Sequence, residues 1–265
     1  MKNLVKFCAR PRLRVPNMLA AWPGIANVSI IVAQYLQRKL NFKELGEIEA
    51  SNFFDPIGVL AKDSVVEAPQ FPQSKFYYLK NKGEASDTIL FIGDDQPAAK
   101  SYELANCVVD VALKFEVNRI YTCAAALTRI HHTEQPRVWG VATSHDVAAD
   151  LEKQYLVRKG NLHISGLNGL LLGVAKERDI KGVCLLGEVP MYASRIPNPM
   201  AALAITRALT TMLGIEVDLT ELAQQASEAR ERMKQIAAEA MGEYIDYFTA
   251  PIWESEQDEE EEEEE

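Results

Sequence analysis

The sequence is poor in the residues that build metal sites and covalent cross-links. Among 265 residues there are 4 cysteines and 4 histidines. Cys8, Cys107, Cys123 and Cys184 stand far apart, without the paired spacing of a zinc knuckle or a disulfide framework, and three of them fall inside apolar segments where Cys packs as a small hydrophobe. His131 and His132 are chain neighbours, which point about 100° apart on a helix and to opposite faces of a strand. No His-x-x-x-His spacing occurs, so neither a metal nor any other cofactor is expected. A run of some 18 apolar residues is also missing, so no apolar membrane-crossing helix and no membrane partner are expected. Residues 1–17 carry Lys2, Lys6, Arg10, Arg12 and Arg14 and no apolar run of secretory length, which points to a cytoplasmic protein.

Excess positive charge is the next absence. Lys and Arg number 28 against 38 Asp and Glu, a net charge of −10. Residues 254–265 hold Glu254, Glu256, Asp258 and an unbroken run from Glu259 to Glu265, 10 acids with no base in 12 residues. Without them, 28 acids face 28 bases. A neutral body lacks the basic face that phosphates require, so no nucleic-acid partner is expected. Residues 1–250 read as a single α/β domain ending in helices, and residues 251–265 as a disordered acidic tail whose last 12 residues reach about 40 Å when extended.

What is present is a globular composition, 48% apolar and 25% charged, with strand and helix patterns alternating. Residues 18–21 form an apolar run broken by Trp22-Pro23-Gly24. A helix follows, with Asn27 in the position of a side-chain N-cap and Arg38 and Lys39 near its end. Residues 45–49 and 76–79 read as strands, the latter at an edge of the sheet. Residues 88–92 are a continuous apolar run, 119–124 and 182–186 are short runs that lack polar alternation, as expected of strands covered on both faces, and 138–143 is a further strand. Helices are expected over about 98–115 and over 167–177. Another is framed by Asn198, Pro199 and Gly214, and a last one starts with Asp218 and Glu221. The alternation predicts a three-layer α/β/α fold around a mainly parallel sheet.

Open parallel sheets bind ligands beyond the carboxyl ends of their strands, which places a candidate pocket among Pro23, Gly24, Asn27, Asp94, His131, Gly166, Asn168 and Glu188. The Gly24–Asn27 turn and the Gly166 turn would aim helix N–H groups at an anion, although no Walker or dinucleotide fingerprint accompanies them. Both have a plainer reading, as strand-to-helix connections, and Gly169 and Gly173 as sites of close packing. Asp94 with Asp95 has the chemistry of an acid and base pair, and equally that of a turn. His145-Asp146 resembles a base with its orienting acid, but side chains at i and i+1 do not face each other and no nucleophile elbow is present. No catalytic residue is assigned.

Six segments in series carry more information than any one. They are Trp22-Pro23-Gly24-Ile25-Ala26-Asn27-Val28; Leu45-Gly46-Glu47-Ile48 with Phe53-Phe54-Asp55-Pro56; Ser165-Gly166-Leu167-Asn168-Gly169-Leu170-Leu171-Leu172-Gly173; Cys184-Leu185-Leu186-Gly187-Glu188-Val189-Pro190; Pro197-Asn198-Pro199-Met200-Ala201-Ala202; and Leu213-Gly214-Ile215-Glu216-Val217-Asp218. In this order they resemble the proteasome-assembly-chaperone family, over about residues 18–241. The resemblance implies a phosphorylase- or hydrolase-like α/β/α fold, a homo-oligomer with a trimer favoured, and a non-enzymatic role with proteasome subunits or another protein as partner. Some archaeal and bacterial members have been labelled ATP-grasp-like, yet this sequence has no Gly-rich nucleotide loop with a partnered Lys. Several members dock on the ring of α subunits through a C-terminal hydrophobic-Tyr-any-residue tail, which Glu263-Glu264-Glu265 does not match. The alternative reading is an enzyme, a phosphorylase, a hydrolase or an ATP-dependent carboxylate-amine ligase.

Overall fold

The computed structural model describes residues 4–249 except 57, 84 and 154–161, with side chains described as far as residue 235; the acidic segment 251–265 lies outside the described residues. The elements are β1 (Val5–Phe7), β2 (Asn17–Ala21), α1 (Val28–Lys39), β3 (Lys43–Ile48), β4 (Ala61–Lys62), β5 (Val65–Val66), β6 (Ser74–Leu79), β7 (Thr88–Gly93), α2 (Ser101–Lys114), β8 (Arg119–Thr128), β9 (Val138–Ala142), α3 (His145–Glu152), α4 (Leu167–Glu177), β10 (Lys181–Pro190), α5 (Pro199–Leu213) and α6 (Thr220–Thr249). An eight-stranded sheet has the order β1-β3-β6-β7-β2-β8-β10-β9, and β4 and β5 form a separate small hairpin. Strands β7, β2, β8 and β10 pair in parallel. Antiparallel pairing of β6 on both sides turns β3 the same way again, so five of the eight strands share one direction, and β1, β6 and β9 oppose it.

Alternate side chains leave a strand on opposite faces, so an unbroken apolar strand needs cover on both. In β2, Met18 and Ala20, with Trp22 just beyond, join Ile89, Phe91 and the apolar faces of α2 and α4 in one core. Leu19 and Ala21 join Leu90, Ile92, α1 and α5 in the other. These are the outer layers of an α/β/α sandwich. The buried tilted contact between Phe76 and Phe91, centroids 4.7 Å apart, shows that residues 76–79 do not lie at an edge. They form β6, which pairs with β3 and β7, and the edges belong to β1 and β9.

Helix α5 starts as its sequence requires, with Asn198 Oδ1 accepting from the Ala201 N–H at 2.9 Å, and ends at Gly214 with φ 64°. Helix α6 lies outside α5, with Ala226 and Met233 packed against Ala193 and Met200. Its start is fixed to the end of α1: Glu221 pairs with Arg38 at 3.0 Å and Lys39 at 2.9 Å, and Tyr35 donates to the Asp218 carbonyl at 2.7 Å. Among the described residues no helix is long and apolar enough to cross a membrane.

Candidate functional site

The four central strands end on one edge, and two side chains stitch the loops there. Asn168, in the first turn of α4, is 4% exposed. Its Oδ1 accepts from the Trp22 N–H at 3.1 Å and from Ser29 Oγ at 3.2 Å, and its Nδ2 donates to the Trp22 carbonyl at 3.2 Å. The amide thus supplies the backbone partners that the chain loses on leaving β2. Gln96, in the loop after β7, donates through Nε2 to the Pro23 carbonyl and accepts at Oε1 from the Leu167 N–H at 2.8 Å. Gly166 is obligatory here: its φ is +73°, and a Cβ would stand 2.9 Å from Gln96 Oε1. Of the two helical glycines, Gly169 lies hard against Ile164, whose carbonyl oxygen a Cβ would meet at 2.2 Å, while Gly173 faces open space.

The turn between β2 and α1 is held from the other side as well. Ala26 and Asn27 both adopt left-handed conformations, with φ 52°. Ala26 donates to the Ser194 carbonyl at 3.0 Å and accepts from the Asn198 N–H at 2.9 Å. Asn27 does precede α1, but its side chain makes no capping hydrogen bond, because the left-handed backbone turns it out to solvent. Around this turn is a cavity of about 360 Å³, lined by Gly24, Ser29, Gln96, Gly166 and Asn168 and by the apolar Ala124–Leu127, Ile164 and Leu186.

A second locus lies where β10 leaves β9. Glu188 is 1% exposed and accepts from the Arg137 backbone N–H at 2.9 Å, from Nε at 3.1 Å and from Nη2 at 3.4 Å. Beyond the last paired residues, Gly187 and Val138, the Glu188 N–H donates to the Arg137 carbonyl at 3.1 Å, and the carboxylate takes up the N–H of the same Arg137. Glu188 also lines an open recess of about 630 Å³ with Thr128, Arg129 and Glu134.

His131 and His132 belong to the loop between β8 and β9. His131 is exposed, its N–H donating to Glu134 Oε1 at 2.9 Å and its Nδ1 lying 2.8 Å from Thr133 Oγ1. His132 is buried under it, ring centroids 4.0 Å apart, with Nδ1 2.9 Å from the Tyr192 hydroxyl. Burial, then His131 and the α6 cations Lys234 and Arg230, hold its pKa below the usual 6.5. Asp94 is exposed and serves a turn: its carboxylate accepts from the Gln73 N–H at 3.1 Å, and its own N–H donates to the Gln73 carbonyl at 2.8 Å. Asp146 is in the first turn of α3, where Lys181 and Ser144 hold its carboxyl well below the usual range.

Of the eight candidate residues, Pro23, Gly24, Gly166 and Asn168 come together. Glu188 and His131 sit on the β9 side, and Asn27 and Asp94 lie outside both cavities. The two residues that the sequence pattern did not single out are Gln96 and Ser29. Neither has a local signal, since Gln96 is one polar residue among several in a turn and Ser29 one residue in a helix stripe. Among the described residues no three His, Cys, Asp or Glu side chains are grouped to hold a metal ion.

The chain is similar in fold to several solved structures. An archaeal proteasome activator from Pyrococcus furiosus matches with a TM-score of 0.74 at 28% identity, over 88% of this chain and 98% of that one. A PAC2 family protein from Streptomyces avermitilis (TM-score 0.72, 22% identity, 87% and 99% covered) and a proteasome-assembly chaperone homologue from Mycobacterium tuberculosis (0.71, 23%, 87% and 99%) share the architecture. An uncharacterized protein from Methanocaldococcus jannaschii is 27% identical over 223 residues, 83% of this chain and 82% of that protein. The profile of the PAC2 family matches residues 18–237, and the chain belongs to that family.

Proposed function

We propose that this protein is a non-enzymatic assembly chaperone, cytoplasmic and homo-oligomeric with a trimer as its unit, whose partner is a proteasome subunit or another protein. The observation that carries the reading is the likeness to the archaeal proteasome activator, which spans 98% of that chain and so includes the whole body rather than one shared motif. The strand-end edge supports it. Asn168 and Gln96 use both ends of their amides on neighbouring loops. The same edge exposes Ile25, Leu127, Met191 and Tyr192, apolar side chains of the kind that protein interfaces bury. Affinity capture from the source cells with the full chain and with a version ending at Trp253 tests this. Proteasome subunits or another stable protein are expected with both, and capture of no protein by either overturns the reading. Light scattering during gel filtration measures the oligomer.

A second reading rests on the cavity of about 360 Å³, which is within the size range of small-molecule sites. It would make the protein a phosphorylase- or hydrolase-like enzyme or an ATP-dependent carboxylate-amine ligase. Thermal shifts with nucleosides, nucleotides and phosphate separate the two, because a ligand at 100 times its Kd stabilises the native state by about 2.7 kcal/mol.

A further inference from the structure

At the opposite edge, where the parallel strands begin, a groove of about 820 Å³ opens between the ends of α1, β6 and α5, lined by Lys39, Lys43, Lys80 and Lys82 with Glu216 as the one carboxylate among its described lining residues. Lys39 is committed to Glu221. Lys43, Lys80 and Lys82 are exposed, and no carboxylate among the described residues pairs with them. In a body of 28 acids and 28 bases these lysines are a local concentration of cation, and the chain contains one segment of matching opposite density, residues 254–265.

We propose that the lysine groove receives the acidic segment 254–265 of a second copy of this chain. The length of α6 favours a second copy over the groove's own chain. The helix starts beside the groove, at the Glu221–Lys39 pair, and its 30 residues at about 1.5 Å each carry Thr249 about 45 Å away. Ten residues separate Thr249 from Glu259, a span of at most about 36 Å fully extended. The glutamate run therefore begins out of reach of its own groove and only its end, Glu265, 16 residues and at most about 58 Å from Thr249, can touch it, whereas a copy whose α6 ends near another molecule's groove can lay the whole run along it. Single exposed lysine–glutamate pairs contribute little. A run of seven glutamates along three uncommitted lysines instead gives a multivalent attraction that salt weakens.

Two experiments on the full-length chain test this. In the first, a fluorescent peptide of residues 250–265 is titrated into full-length protein in which Glu259 to Glu265 are all replaced by Gln, so that no resident tail competes. Saturable binding is expected at about 50 mM salt and at least roughly tenfold weaker binding at about 300 mM. Binding is expected to be lost when Lys43→Ser, Lys80→Ser and Lys82→Ser are combined, with the circular-dichroism melt confirming the fold. No binding, or equal binding to the triple variant, overturns the proposal. In the second, carbodiimide coupling of two differently tagged natural chains is expected to join Lys43, Lys80 or Lys82 of one copy to residues 254–265 of the other. Linkage found only within single copies overturns the assignment to a second chain. Neither readout involves a proteasome subunit, so failure of the chaperone reading leaves this result standing, and the reverse.

Discussion

At the edge where the central strands end, two neutral amides are consumed by the fold: Asn168 holds Trp22 and Ser29, and Gln96 holds Pro23 and Leu167. At the edge where the strands begin, Lys43, Lys80 and Lys82 stand exposed around an open groove. A buried amide that loses its partner leaves polar atoms dry at a cost of about 1–3 kcal/mol each, whereas an exposed lysine stays hydrated and holds nothing in place. One edge therefore has polar groups that fix structure, and the other has charges free to act on something else.

The sharpest way to break this contrast is Asn168→Ala, which strips the buried Trp22 N–H and carbonyl of their partners. A loss of about 3 kcal/mol in urea unfolding is expected, and a loss under about 1 kcal/mol would mean that water already serves those groups. Gly169→Ala follows. A Cβ there meets the Ile164 carbonyl oxygen at 2.2 Å, so the start of α4 must shift, at about 2 kcal/mol, visible as a lower Tm. A smaller effect is expected from pH. The folded chain binds a proton at His132 more weakly than the unfolded chain does, so the stability tied to this group is complete above the ordinary value of 6.5 and is lost as pH falls from there through the lower folded value. Urea midpoints at stepped pH should decline on the acid side of 6.5, and His132→Asn should flatten that decline. Smallest of all, the triple lysine-to-serine variant should leave stability within about 0.5 kcal/mol of the natural chain; a larger loss would mean that the groove lysines also hold the fold.

Where burial is complete, the sequence is a good guide. Residues 88–92, 119–124 and 182–186 lack polar alternation and form β7, β8 and β10, covered on both faces. Asn198, Pro199 and Gly214 mark the limits of α5 because cap and φ requirements act within a few residues. Strand order is another matter. Phe76 and its neighbours look the same in an edge strand as between β3 and β7, and only pairing partners distant in the chain decide. β1 is three residues in a basic stretch, Val5 and Phe7 half-buried and Lys6 exposed, held by pairing with β3, and leaves no pattern of its own. Helix α3, which begins with His145 and Asp146, is eight residues held partly by the distant Lys181. The candidate pocket shows the same division. Gly166 and Asn168 were marked by the turn pattern, but what they do depends on Trp22, 146 residues away, and on Gln96, 71 residues from its partner Leu167. Asp94 drew notice as an acid, and its neighbour Gln96 does the bridging because only an amide offers a donor and an acceptor together.

The two left-handed residues in the β2–α1 turn bear on how a partner would be met. Ala26 donates to one residue of the loop before α5 and accepts from another, so its amide hydrogen is released to solvent only when that loop lets go. The same turn is tied through Pro23 to the loop after β7, and through Trp22 to α4. Loops joined in this way open as one unit, and hydrogen exchange at Ala26, Leu167 and Asn198 should report a single opening free energy instead of three. A protein arriving at this edge meets a surface already set, with little ordering entropy left to lose on contact.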